Sequence, residues 1–186
     1  KPGLDMWEVE EYVRRRCKEE NFLPLQIGVD GAMMDYPYAT CCSLNDEVAH
    51  AFPRHYILKD GDLLKVDMVL GGPIAKSDLN VSKLNFNNVE QMKKYTQSYS
   101  GGLADSCWAY AVGTPSEEVK NLMDVTKEAM YKGIEQAVVG NRIGDIGAAI
   151  QEYAESRGYG VVRDLVGHGV GPTMHEEPMV PNYGIA

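Results

Sequence analysis

Two histidines, His168 and His175, lie seven residues apart in a glycine-rich segment near the end of the chain. Glycines between and beside them let the backbone come close to a ligand. Pro178 follows at once and, lacking an N–H, is expected to prevent a regular β-ladder there. Neutral imidazole is the commonest side-chain metal ligand, and it also exchanges protons near neutral pH. The segment therefore predicts a surface loop with a chemical role.

Two aspartates on predicted strands are the next candidates. Asp67 lies inside the apolar strand 63–70, where a carboxylate is costly unless a cation meets it. Asp105 begins another strand, 105–112. Carboxylates combined with imidazole suit Mn, Fe, Co or Zn, and two such ions close together can activate water and polarise a carbonyl. These residues predict a hydrolytic divalent-metal site.

Simpler interpretations compete with this one. A lone buried aspartate is more often a salt-bridge or turn partner than a ligand. His50 follows an acidic segment in an apolar context and could be a hydrogen-bonded core histidine. The helical zinc motif HExxH is excluded, because the second histidine after His175-Glu176 would fall at Met179 and Pro178 forbids the helix.

Hydrophobic periodicity and turn residues predict the elements that must position these side chains. The chain lacks regular βαβ alternation, so we expect an α+β fold with an antiparallel sheet and helices on one face. The polar composition of the stretch at about 71–104 predicts an excursion, a segment inserted into this fold. The predicted helices are 6–20, 89–94, 114–140 and 144–157, and the predicted strands are 23–29, 38–44, 48–52, 63–70, 105–112 and 160–165.

Bulk properties limit the possible functions. The 186 residues suit a single domain, 1–186, and the net charge of −9 argues against a nucleic-acid partner. No apolar run reaches the ~18 residues of a membrane span, and the opening lacks a signal peptide, so we expect a cytoplasmic monomer. The four cysteines include an adjacent pair and suggest reduced thiols rather than a disulfide framework.

Several strings, in order along the chain, resemble bacterial type I methionine aminopeptidase. The resemblance covers nearly the whole chain apart from 71–104. It implies the pseudo-symmetric pita-bread α+β fold and hydrolytic removal of the initiator methionine from nascent polypeptides by two divalent metal ions (Co, Mn, Fe or Zn) and a bridging hydroxide. The strings that carry it are Tyr36-Pro37, Ser43–Pro53, Leu58–Asp62, Lys65-Val-Asp67, Asp105-Ser106, and Gly167–Gly171 with His175-Glu-Glu-Pro178.

The resemblance also implies a ligand set. Asp67 would bind one metal through both oxygens, Asp105 would bridge the two metals, and His168 would bind the other. The family's two aspartates stand closer in sequence than these, and Asp78 would satisfy the shorter spacing. We prefer Asp105, because it begins a strand like the family's second ligand strand, with the segment 71–104 as an insertion between two paired strands.

Substrate contacts follow from the same resemblance. His50 would contact the scissile amide or the substrate amine, and His175 would hydrogen-bond the substrate carbonyl and stabilise the tetrahedral intermediate. Tyr36 and Cys41 resemble part of the pocket for the methionine side chain. Met174 stands where the family often has phenylalanine and would make that wall softer.

One departure from the family lies at the ends. The family completes its metal site with two glutamates, one of them the general base, beyond the position where this chain stops, and its first helix precedes Lys1. We therefore expect a fragment with part of the ligand set, poorly active alone.

Two other functions stay open. One is another pita-bread peptidase, such as an X-Pro type, and the other is a metal-free pita-bread protein that binds peptides. The excursion could also bind a partner such as the ribosome.

Overall fold

The computed structural model, which describes residues 1–31 and 33–186, divides the chain into two compact units. The first unit comprises Lys1–Pro115 together with Val170–Met174. The second comprises Ser116–Gly169 together with His175–Ala186. Asp67 and Asp105 therefore belong to the first unit, and His168 and His175 belong to the second.

The first unit begins with an amphipathic helix and continues into a four-stranded sheet. The helix buries Val13 and Cys17 and ends at Asn21, whose left-handed backbone (φ 58°) closes its last turn. Its elements are α1 (Trp7–Glu20), β1 (Leu23–Pro24), β2 (Cys41–Leu44), β3 (Leu63–Gly71), a 3₁₀ turn (Val81–Lys83), α2 (Val89–Ser98) and β4 (Leu103–Ala111).

Strand β3 is the centre of this sheet. It pairs antiparallel with β1 and β2 along one edge, and with β4 along the other edge over all nine residues. Gly71, at the end of β3, is the partner of Leu103, at the start of β4. The intervening segment 72–102 thus begins and ends at paired positions of the sheet. Strands β3 and β4 form one long hairpin, and this segment is the connection between them.

The segment 72–102 contributes to the hydrophobic core despite its polar composition. Val81, Leu84, Phe86 and Met92 are buried in one apolar cluster with residues of α1 and β3, among them Val69. Their removal from water stabilises the fold as any core side chain does. The surface excursion expected from composition is therefore partly interior.

The second unit contains a helical pair and a short hairpin. Its elements are α3 (Glu117–Glu135), α4 (Ile143–Glu155), β5 (Gly167–Gly169) and β6 (Glu176–Val180). Ser116 caps α3 by accepting a hydrogen bond from the amide of Val119, so the helix begins three residues after the predicted start at 114. The two helices pack closely at Gly133, where an added Cβ would lie 2.7 Å from the side chain of Ile150.

Several predicted strands are wrong. Residues 48–52 and 160–165 form no strand, and of 23–29 only Leu23–Pro24 is in the sheet. The histidine segment is only partly an irregular loop, because His168 lies in β5, which pairs with β6, whereas residues 170–175 between the two strands form the loop. The register shifts between His168, partner of Met179, and Gly169, partner of Glu176, so Pro178 falls in the bulge, where a missing N–H does no harm.

Within 1–31 and 33–186, no helix is both long enough and apolar enough to cross a membrane.

Candidate functional site

The β3–β4 pairing brings the two candidate aspartates onto one face of the sheet. Asp67 is the direct partner of Cys107, and Asp105 is the partner of Val69, two residues along each strand. Diagonal neighbours of this kind have Cα atoms ~7–8 Å apart, within reach of a shared ion for two carboxylates. Asp78, in contrast, is exposed in a turn outside the sheet, where its carboxylate accepts from the hydroxyl of Ser77.

Both carboxylates raise the pKa of the Cys107 thiol. Its pKa is raised to about 11, first because neighbouring atoms shield it from water and then because of the negative charge of Asp67, with Asp105 adding a weaker effect. The ammonium group of Lys65 opposes this shift. Cys107 therefore lies beside both carboxylates, and the rise in its pKa reflects the negative charge that they place on this face.

A buried, largely apolar wall adjoins the carboxylates on the other side of β3. Cys41 is the cross-strand partner of Asp67 and is only 3% exposed. Burial raises the pKa of its thiol to about 12, and burial also raises the pKa of Tyr36, next to it. The Tyr36 hydroxyl donates to the carbonyl of Thr40 at 3.0 Å, and its ring packs edge-on against Phe52. Tyr36 and Cys41 thus form a pocket wall next to an acidic group.

His50 is exposed, so it is not a core histidine. Its backbone is left-handed, with φ 59°, an unfavourable conformation for a residue with a Cβ. The next residue holds it in place, because the carbonyl of Ala51 accepts from the amide of Cys42 and the amide of Ala51 donates to Ser43. Such local strain concentrates at functional sites, which supports a role for His50 beside β2.

His168 and His175 lie together in the second unit. Their ring centroids are 4.4 Å apart with an interplanar angle of 53°. His168 is half-buried, and its Nδ1 lies 3.0 Å from the carbonyl oxygen of Gly169. A carbonyl only accepts, so Nδ1 is the donor in this contact. Histidines that bind a metal through one ring nitrogen typically donate a hydrogen bond from the other nitrogen, as Nδ1 of His168 does here.

Met174 belongs to the first unit, where it packs against the main apolar cluster that includes Ala39. Ala39 directly precedes Thr40 and Cys41. Met174 thus packs against the same apolar cluster that contains a residue next to the Tyr36–Cys41 wall.

Sequence reasoning missed Glu10, a carboxylate on α1 that is completely buried. It accepts hydrogen bonds from the amides of Ala39 and Thr40 at 2.8 and 2.9 Å. A signal existed, because Glu10 stands three and seven residues before the buried Val13 and Cys17, on the inward face of the helix.

The donor types of each unit suit divalent cations. Carboxylates, such as the pair on the sheet of the first unit, and imidazoles, such as those of the second unit, are both ligands of borderline metals. Neither unit, over its described residues, gathers three or more His, Cys, Asp or Glu side chains that could hold a metal ion. The first unit supplies an aspartate pair, and a complete centre requires further ligands.

Comparisons with known proteins show which family the chain resembles. The profile of metallopeptidase family M24 matches residues 94–185. A methionine aminopeptidase of Clostridium acetobutylicum is 40% identical over 185 residues, covering 99% of this chain and 62% of that protein. A solved methionine aminopeptidase from Streptococci, described as having a novel structural motif and possible post-translational modification, is 99% identical with a TM-score of 0.90, covering all of this chain and 65% of that one. By these matches the chain is similar to methionine aminopeptidases along its whole length.

This likeness confirms the expected α+β pita-bread fold. A solved X-Pro aminopeptidase from Thermotoga maritima also superimposes, with a TM-score of 0.63 over 98% of this chain and 42% of its own, but at 19% identity the likeness shows the fold alone. The chain spans a little over three-fifths of the length of the curated relative and of the streptococcal protein.

Proposed function

We propose that the protein containing this chain removes the N-terminal methionine from nascent polypeptides as a metal-dependent methionyl aminopeptidase. The observation that carries the proposal is the face of β3, where Asp67 and Asp105 lie beside the Tyr36–Cys41 wall. An acidic cation site next to an apolar pocket suits a substrate with a charged amine and a thioether side chain. The names of the relatives support the same activity.

Asp67 and Asp105 would hold divalent ions from the first unit, and His168 would add an imidazole ligand through Nε2. Divalent ions in such a site lower the pKa of a coordinated water and polarise a carbonyl. The ligand types leave Co, Mn, Fe and Zn as candidates. We propose two ions, because a carboxylate in the position of Asp105 is suited to bridging.

The remaining site residues would bind and orient the substrate. His50 would contact the scissile amide or the amine, and His175 would donate a hydrogen bond to the substrate carbonyl and stabilise the charge that develops on its oxygen. Tyr36, Cys41 and Met174 would surround the methionine side chain. The substrate end of a nascent chain is available in the cytoplasm, where we place the protein as a monomer.

The decisive experiment is His168→Ala in the full-length protein. Loss of a ligand should lower kcat/KM for a Met-Ala peptide by at least ~100-fold, since even changes to residues that only orient a metal ligand reach that size. His55→Ala is a matched control, because His55 is exposed and pairs with Asp5, just before the start of α1. Full turnover by the His168 variant would exclude the proposed role of this imidazole.

Two alternatives are separated by simple measurements. An X-Pro peptidase would cleave X-Pro peptides in preference to Met-Ala and Met-Gly peptides. A metal-free peptide-binding protein would show no heat of binding when titrated with Mn(II) or Co(II). The family comparisons do not favour the first alternative, because the X-Pro likeness is confined to the fold.

A further inference from the structure

Glu10 is the centre of a buried hydrogen-bond cluster that joins α1 to the segment before β2. One carboxylate oxygen accepts from the amide of Ala39, and the other accepts from both the amide and the hydroxyl of Thr40, the latter at 2.6 Å. Glu10, Ala39 and Thr40 are each 0% exposed. Three donors from two consecutive residues therefore converge on a single carboxylate without access to water.

Arg14, one helical turn later, completes the cluster. Its Nε donates to Glu10 at 2.5 Å and supplies the positive charge that a buried carboxylate requires. The same guanidinium donates to the carbonyl of Pro37 at 2.9 Å, and to the side chain of Asn87 at the same distance. The pair thus holds the segment 37–40 at three backbone groups, the carbonyl of Pro37 and the amides of Ala39 and Thr40.

The segment 37–40, held by Glu10 and Arg14, connects Tyr36 to Cys41, the two residues of the wall of the proposed methionine pocket. Thr40, held through its amide and hydroxyl by Glu10, presents its carbonyl to the hydroxyl of Tyr36. Cys41 follows directly and enters β2 opposite Asp67. A shift of Thr40 would therefore move Tyr36 through its hydrogen bond and Cys41 through the chain, while the β3–β4 pairing that carries the aspartates would remain.

We propose that Glu10 is a positioning residue that fixes the shape of the methionine pocket by holding Thr40. This role rests on the proposed function, since it refines how the same site selects its substrate. Glu10 touches no substrate. It acts on substrate binding through Thr40 and therefore affects the pocket more than the chemical step.

The test is Glu10→Gln in the full-length protein. Glutamine keeps the shape but replaces one accepting oxygen by an NH₂ group, which then faces an amide donor and leaves it unpaired in the interior. We expect KM for a Met-Ala peptide to rise about tenfold with kcat changed less than about twofold, the signature of lost ground-state positioning. The preference for methionine over leucine at the first position should fall by a similar factor.

Matched variants separate positioning from general damage. Glu11→Gln makes the same change on the exposed side of α1, where the amide oxygen can still accept from the indole of Trp7, and should leave both constants unchanged. Thr40→Val removes one bond to Glu10 and should raise KM in the same direction. Thr40→Ser keeps the hydroxyl and should restore wild-type KM. If Glu10→Gln fails to fold, the Thr40 pair carries the test.

Hydrogen exchange gives a readout independent of activity. The amides of Ala39 and Thr40 should exchange about tenfold faster in Glu10→Gln, with the amides of β3 and β4 unchanged. A variant that loses thermal stability while KM, substrate preference and exchange at 39–40 stay at wild-type values would overturn the proposal, as would a fall in kcat alone. If the wild-type protein releases no methionine, the proposed function fails, and exchange at 39–40 then decides alone whether Glu10 holds the segment.

Discussion

A carboxylate in the middle of an apolar strand was the sequence feature that pointed to a site, and its interpretation depended on finding a partner. Asp67 could be recognised from its strand alone, because alternation placed it among apolar neighbours. Its partner could not, because sequence spacing admitted both Asp78 and Asp105. Strand register favours Asp105, since Asp105 shares the face of Asp67 and Asp78 lies outside the sheet.

Replacing Asp105 and Asp78 by asparagine provides a matched comparison. Asp105→Asn removes a charge from the acidic face and should weaken Mn(II) binding to the full-length protein by at least about tenfold, whereas Asp78→Asn should leave it within about twofold. Isothermal titration measures both affinities. Equal losses, or a larger loss with Asp78→Asn, would show that the register does not identify the ligand.

The start of α1 should give a pH-dependent contribution to stability. Asp5 accepts hydrogen bonds from the amides of Trp7 and Tyr56, and its pKa is lowered chiefly by the hydrogen bond with His55. A carboxyl group with a lowered folded pKa stabilises the protein above its unfolded pKa, and the contribution disappears as the pH falls through the folded value. Urea midpoints between pH 6 and pH 3 should thus fall more steeply for the wild type than for Asp5→Asn. Parallel curves would contradict this.

Helices were predicted better than strands because their signals are local. The bounds of α1 and α4 lie within two residues of the predicted ones and those of α3 within five, because 3.6-residue periodicity is readable in the sequence. Strands depend on partners that are distant in the chain, so 48–52 had the composition of a strand but no neighbour to pair with. The β5–β6 hairpin was missed for the opposite reason, because its bulge accommodates a proline that composition treats as a breaker.

The packing of α2 can be tested at a glycine. Gly28 has φ +89°, and a Cβ there would lie 2.4 Å from the Cα of Lys93 in α2. That helix is anchored nearby, because Thr96 donates to the carbonyl of Ile27 and Lys93 pairs with Asp35. Gly28→Ala should therefore lower the free energy of unfolding by at least ~2 kcal/mol.

Gly102→Ala is the control for this change, since a Cβ at Gly102 meets nothing within 4 Å. Urea denaturation of both variants gives the comparison. A Gly28→Ala protein as stable as the control would mean that α2 does not pack closely against this turn.

At the scale of the whole molecule, composition misjudged the segment 72–102. Its polar residues suggested a solvated insertion, but its few apolar residues are those that are buried. Sequence reasoning could place the segment between two strands, and it could not foresee which apolar side chains would enter the core, because that depends on tertiary packing.

Replacing 72–102 by a two-residue turn tests this contribution. The β3–β4 hairpin could close, because Gly71 and Leu103 are already partners, but α1 and β3 would lose the packing of four buried apolar side chains. Each such loss costs ~2–5 kcal/mol, comparable together to the stability of a whole domain. We expect a protein that is unfolded or molten by near-ultraviolet circular dichroism. A cooperative unfolding transition at the wild-type temperature would show that the segment is dispensable.

The long hairpin also bears on how such sites are found. Searches that require a fixed gap between two acidic residues pass over this chain, since thirty-eight positions separate Asp67 from Asp105. An insertion between the two strands leaves their pairing unchanged, so the two aspartates keep an offset of two residues across neighbouring strands. Distant relatives with other insertions would be recognised by that offset, whatever the number of residues between.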